Sequence, residues 1–398
     1  MSNHYSIYNC HIHIFETACV PRKLFGGIAR IIYQNKRFDR LINRWSQKKK
    51  SRLDQRERIA RFIEIGGLSS RKIFEHAIKF YAPGTSFVVL SMDLAAMGAG
   101  KPIQKYHVQL KKLINLKKDY KDLVLPFLCV DPRRREFLKE NGETIENTSN
   151  INIKLALKNF VQYWIEKRNF HGIKLYPPLG YFPWDERFDY LYDYAEKNEI
   201  PVITHCSSGI INSQEKKKVL IARIEENVQK LKACGIKINP KNLRKMTRKE
   251  ICSIFSHPFN YLHLLKRWPK LKICLAHFGG ADEIDKYLFP FPQEDVINNW
   301  FWYIREMLIK HKSLYTDISF QWGDRRFDSL LKVILLRSRI SSQILFGSDY
   351  YMNQIAFSER NFGLDLRGYL GESEFKKIAY SNAKSFLFPE PILISQNE

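Results

Sequence analysis

Short apolar, β-branched runs recur along the chain at 6–15, 86–94, 123–131, 171–176, 200–206, 271–277, 314–319 and 344–349. Near-continuous apolarity marks strands buried on both faces, as in parallel sheets. Between these runs the apolar positions shift to helical spacing, at 151–168, 188–198, 296–310 and 329–339 among others. Strand and helix alternating eight times predict an α/β fold, a closed (β/α)8 TIM barrel, rather than an open sheet.

Two gaps are too long for a plain strand-to-helix connection, at about 16–85 and 207–270. The first carries helical patterns at 53–65 and 69–80. The second holds a helix at 215–233, one opened by the capping box Thr247-Arg-Lys-Glu250, and one at 260–268. Both gaps follow strand C-termini, the barrel face that carries active sites. They are expected to be helical insertions after strands 1 and 5, acting as lids or substrate walls. The domain expectation is therefore one barrel over 1–398.

With 398 residues, 44% hydrophobic and 14% aromatic, the chain can bury a sizeable core and is not of disordered composition. No apolar run approaches the roughly 20 residues of a membrane span, and the opening MSNHYSIYNC lacks a signal-peptide pattern. A cytoplasmic protein without a membrane partner is expected. Seven cysteines without CxxC spacing argue against a disulfide framework or zinc ribbon. The net charge of +24 is compatible with nucleic acid, an anionic membrane or an acidic substrate. Much of it lies in helical stretches at 47–61 and 215–218, where solvated lysines are the commoner explanation. No nucleic-acid-binding motif accompanies the charge, so nucleic acid is not the expected partner.

The chemistry-bearing residues gather at strand ends. Strand one carries His11 and His13, which an extended chain points to one face. Strand five ends at His205, strand six at His277 and strand eight at Asp349. Singly, each has a structural explanation: a half-buried strand, a hydrogen-bonded core histidine, a helix cap. Converging on one barrel mouth, they point to a metal site with a position left for water.

These segments resemble the amidohydrolase superfamily, in its amidohydrolase 2 branch of metal-dependent TIM-barrel hydrolases and decarboxylases. The resemblance rests on NCHIHIF, GIKLYP, PVITHCS, SHPFNYLHLLKRWPKLKICLAHFGG, FGSD and the closing YSNAKSFL. It implies that His11, His13, His205 and Asp349 bind one divalent metal ion and that His277 acts in catalysis. Zinc suits this ligand set best, although manganese, iron or cobalt would also be held. Such an ion lowers the pKa of its water to about 7. Asp349 is placed to act as general base and then acid, and His277 to polarise a carbonyl or stabilise an oxyanion. A structural role for His277 is the alternative.

Three further residues are candidate substrate contacts. Lys174 on strand four invites comparison with the carbamylated, metal-bridging lysine of other amidohydrolase subgroups. It stands short of the strand end, so a substrate-anion contact or a buried ion pair is preferred. Asp93 could pair with Lys174 or meet substrate, and His257 could point into the mouth or orient its loop. The leading expectation is hydrolysis of a C–N or C–O bond in a small substrate, an anionic one being compatible with the sequence. A zinc-dependent non-oxidative decarboxylase on the same site is the alternative, with Arg22 or Arg30 holding a carboxylate. A metal-dependent nuclease is less favoured, because strand four offers Lys174 where a metal-binding glutamate is needed. A homo-oligomer is compatible with the sequence.

Overall fold

The apolar runs fold as strands of one parallel sheet: β1 (Tyr8–Ile12), β2 (Ser86–Leu90), β3 (Val124–Cys129), β4 (Gly172–Leu175), β5 (Val202–Ser207), β6 (Ile273–Gly279), β7 (Leu314–Asp317) and β8 (Ile344–Leu345). The structure is a computed structural model and describes residues 5–23, 53–134, 152–209, 211–288, 298–320, 325–337, 339–355 and 357–389. Each strand pairs with its chain neighbour, in the order β1 to β8. The circle closes through backbone bonds from Cys10 N–H to the Phe346 carbonyl and from Asp349 N–H to the His11 carbonyl, both 2.8 Å. Eight parallel strands with helices between them make a (β/α)8 barrel.

The pleat divides the core in two. Alternate strand residues, among them Cys10, Val88, Leu90, Phe127, Ile203, Cys274 and Leu345, form one cluster with Phe386 and Leu387 of the last helix. The remaining strand residues pack on the helices in a larger cluster that includes Ile12, Val89, Leu128, Ile173 and Leu275. Burial on both faces is why these strands read as unbroken apolar runs.

Both long gaps contain helices where described: Leu53–Gly66 and Ser70–Ile78 in the first, and five from Lys217–Glu225 to Asn260–Arg267 in the second. Thr247 and Glu250 form the expected reciprocal cap. The expected helix at 215–233 is instead two, Lys217–Glu225 and Val228–Ala233. Asn227 breaks it by turning its amide back to the Arg223 carbonyl. Gly98 anchors the second insert: its φ is +84°, and a Cβ there would stand 2.5 Å from the Glu215 backbone nitrogen. Among the described residues, no helix is long and apolar enough to cross a membrane.

Candidate metal centre

β1 delivers both of its histidines to the barrel mouth. A register shift between Asn9 and Ile12 loosens the strand there, and the two rings stand with centroids 5.3 Å apart. β8 is shorter than its apolar run, because the chain leaves strand geometry to present Asp349 at φ 61°. Gly347 makes the close approach possible: a Cβ there would lie 2.8 Å from the His11 Cβ. His277 also has left-handed backbone, at φ 72°. Non-glycine residues adopt this region rarely and at a cost of about 1–3 kcal/mol.

Hydrogen bonding sets the direction of each ring. His11 Nδ1 donates to Asp317 Oδ2 at 2.8 Å, and His13 Nδ1 to the Leu90 carbonyl at 3.1 Å. Both Nε2 atoms are then left as lone pairs. They face Asp349 Oδ1, at 3.6 Å from His11 and 3.4 Å from His13. His11 Nε2 and Asp349 Oδ1 are buried with no hydrogen-bond partner among the described residues. Three acceptors thus converge with no donor among them, an arrangement that calls for a cation or an added proton. Zinc bonds of about 2.0–2.2 Å place tetrahedral ligand atoms roughly 3.3–3.6 Å apart, so the donor set and its spacing fit a divalent ion. The buried His11–His13–Asp349 group marks a divalent-metal site.

The electrostatics agree. Burial pushes the His11 and His13 pKa values down, keeping the rings neutral as a metal requires. Burial raises Asp349, opposed by the charge of Lys174, so the carboxyl tends to hold a proton when no cation is near. For Asp317 burial also acts upward, but His11 and its hydrogen bond outweigh it and hold the carboxylate below its usual range.

His205 lies beside this trio without joining it. Its Nδ1 is 3.0 Å from His277 Nε2, its Nε2 is 3.1 Å from the Ser207 hydroxyl, and its ring packs on Tyr176. His277 also contacts Ser319, through the carbonyl at 3.1 Å and the hydroxyl at 2.9 Å. Burial brings its pKa to about 3. A cavity of about 250 Å³ opens over the group, lined by His13, His205, His277 and Asp349. Tyr176, Ser207, Ser208 and Lys249 add polar atoms to it, and Phe15, Met92, Phe320 and Met352 form apolar walls.

The three candidate substrate contacts lie elsewhere. Lys174 is fully enclosed, and its Nζ has no hydrogen-bond partner among the described residues. Burial lowers its pKa, opposed by Asp317 and Asp349, and it is not among the cavity's lining residues. Asp93 pairs with Arg134 Nε at 2.8 Å and not with Lys174. β2 ends at Leu90, and the loop beyond it carries Asp93 to a neighbouring cavity. His257 packs on Trp300 and Tyr303 and borders a separate cavity, its pKa pushed down to about 3 by burial. Arg22 is exposed, and Arg30 lies outside the described residues. Sequence reasoning missed Asp317, which lies inside the apolar run LYTDIS, although the strand itself ends there. Tyr176 and Ser319 close the runs 171–176 and 314–319 without being singled out, and Lys249 carried no strand-end signal.

A family model described as Amidohydrolase (amidohydrolase 2) matches residues 161–388, more than half of the chain. The chain belongs to the amidohydrolase family. The match takes in β4 to β8 and leaves His11 and His13 outside it. Solved structures similar to this amidohydrolase include a 5-carboxyvanillate decarboxylase from Sphingomonas paucimobilis. It is 10% identical, with 96% of this chain and 98% of that one covered and a TM-score of 0.47. A 4-oxalomesaconate hydratase from Rhodopseudomonas palustris is 13% identical (96% and 95% covered, TM-score 0.43). A uronate isomerase from Bacillus halodurans is 11% identical (97% and 94% covered, TM-score 0.49). No curated protein matches the amidohydrolase.

Proposed function

We propose that this amidohydrolase is a zinc-dependent hydrolase that uses water to cleave a C–N or C–O bond of a small, anionic substrate. The observation that carries the reading is the convergence of His11 Nε2, His13 Nε2 and Asp349 Oδ1, three acceptors with no donor, at the floor of a cavity. The ion that these residues would hold supplies Lewis acidity and a water of lowered pKa. The residues supply the rest. Asp349 takes the proton of the attacking water and returns it to the leaving group. His277 Nε2 accepts from His205 Nδ1 at 3.0 Å and so orients the His205 ring at the cavity wall. The Tyr176 phenol, kept neutral by a pKa raised through burial, is a donor for a developing oxyanion. Lys249 on the cavity lining favours a negative charge on the substrate, with Asp282 of the same lining acting against it.

A screen of amides, lactones and carboxylic acids with the zinc-loaded protein, read by product analysis, tests the assignment. Release of carbon dioxide from any of them would move the protein to the decarboxylase reading. Protein that retains no metal after mild dialysis would remove the basis for both.

A further inference from the structure

Asp317, at the end of β7, uses both of its oxygens. Oδ2 accepts from His11 Nδ1 at 2.8 Å. Oδ1 accepts from the backbone N–H groups of His277 and Ser319, at 2.9 and 3.1 Å, and from the Ser319 hydroxyl at 2.5 Å. That hydroxyl also stands 3.1 Å from His11 Nδ1 and 2.9 Å from His277 Nδ1. It has one hydrogen. Given to Asp317, it leaves the serine lone pairs to accept from both rings, which satisfies all three contacts.

Carboxylates and carbonyls only accept, so the Asp317 carboxylate requires a hydrogen on His11 Nδ1, and the Ser319 carbonyl requires one on His277 Nδ1. With one proton per ring, both Nε2 atoms are acceptors. We propose that Asp317 is a positioning residue: it sets the tautomer of His11 directly and, by taking the Ser319 hydroxyl hydrogen, leaves that oxygen to accept from His277 Nδ1–H. A single buried carboxylate then orients the metal-facing nitrogen of His11, while the Ser319 carbonyl fixes His277 as Nδ1–H and leaves its Nε2 to accept from His205 Nδ1. The word metal-facing rests on the function proposed above, whereas the tautomers do not.

Asp317→Asn makes a directional test. Three donors meet at Oδ1, so the amide oxygen must take that place and the NH2 group falls opposite His11 Nδ1. The His11 hydrogen is then forced onto Nε2, the atom facing Asp349. Nitrogen-15 spectra of histidine-labelled, metal-free protein report the tautomers without any substrate. Wild-type His11 and His277 are expected as Nδ1–H, and His11 in Asp317→Asn as Nε2–H. Calorimetric titration with zinc chloride is expected to show about 10–100-fold weaker binding in the variant, with its thermal unfolding still cooperative. Wild-type His11 found as Nε2–H overturns the proposal whether or not the variant folds. So does a folded variant with an unchanged His11 tautomer or unchanged zinc affinity. Failure of the wild type to bind zinc is a different result. It overturns the metal reading, and the tautomers then decide the role of Asp317 alone.

Discussion

Removing His13 takes away one of three converging acceptors, so His13→Ala is expected to lose metal and activity together. His277 is not one of those three acceptors. His277→Ala is expected to keep its metal, measured by elemental analysis, while turnover falls about 10²-fold as the His205 ring loses the partner that orients it. Equal metal loss in the two variants would make His277 a ligand. Histidines away from the centre bear on acid stability. Burial pushes His257 down to about 3 and His171 to about 4, whereas unfolded imidazoles titrate near 6.5. The unfolded state therefore binds more protons between those values, and stability is lost as pH falls through that window. The melting temperature of metal-free protein is expected to drop from pH 7 toward pH 4.5. His171→Gln, which keeps a donor for the Leu387 carbonyl, is expected to show a shallower drop. An identical slope in that variant would show that His171 takes no part.

Two glycines allow the inserts and helices to be tested as elements. Gly98→Ala forces a Cβ against the Glu215 backbone at φ +84°, and a strained left-handed residue costs about 1–3 kcal/mol. Denaturant unfolding is expected to show that loss, and limited proteolysis an insert cut faster than the barrel. Gly368, in the helix Glu359–Leu370, has nothing within 4 Å of its missing Cβ. Gly368→Ala is expected to stabilise by about 0.4–1 kcal/mol, so a loss there would mean that the backbone of this helix is not as described. The eight strands were legible in the sequence because burial on both faces leaves a continuous apolar run. What periodicity could not show is where a strand stops. β8 keeps its apolar run to Phe346 but ends as a strand at Leu345, since Asp349 must turn into the mouth. Asp93 misled for the same reason: it continues a strand-like run yet sits in a loop paired with Arg134. Asp317 went unread because a single carboxylate after β-branched residues carries no spacing signal, although the fold sets it under His11.

At the scale of the molecule, charge is the open quantity. The net +24 predicts nonspecific attraction to polyanions, but the cavity lining offers only Lys249 as a cation among the described residues. Binding of duplex DNA is therefore expected to be weak and to collapse between low and physiological salt through counterion release. Fluorescence anisotropy across a salt series checks this. Tight binding that survives high salt, or metal-dependent cleavage, would restore the nuclease reading.

The closure of the barrel has a consequence for synthesis. Asn9 and Ser348 share a 2.9 Å hydrogen bond although 339 residues separate them, and the His11 carbonyl accepts from Asp349 N–H beside them. A ribosome delivers the two histidines more than 300 residues before the aspartate. During translation the nascent chain holds an incomplete ion site that cannot assemble before β8 emerges. So long a loop makes the final contact slow, and an ion that binds only the closed form adds its affinity to that step. Metal uptake during refolding would then time the last event of folding, and cellular metal supply would govern how much newly made chain reaches the native state.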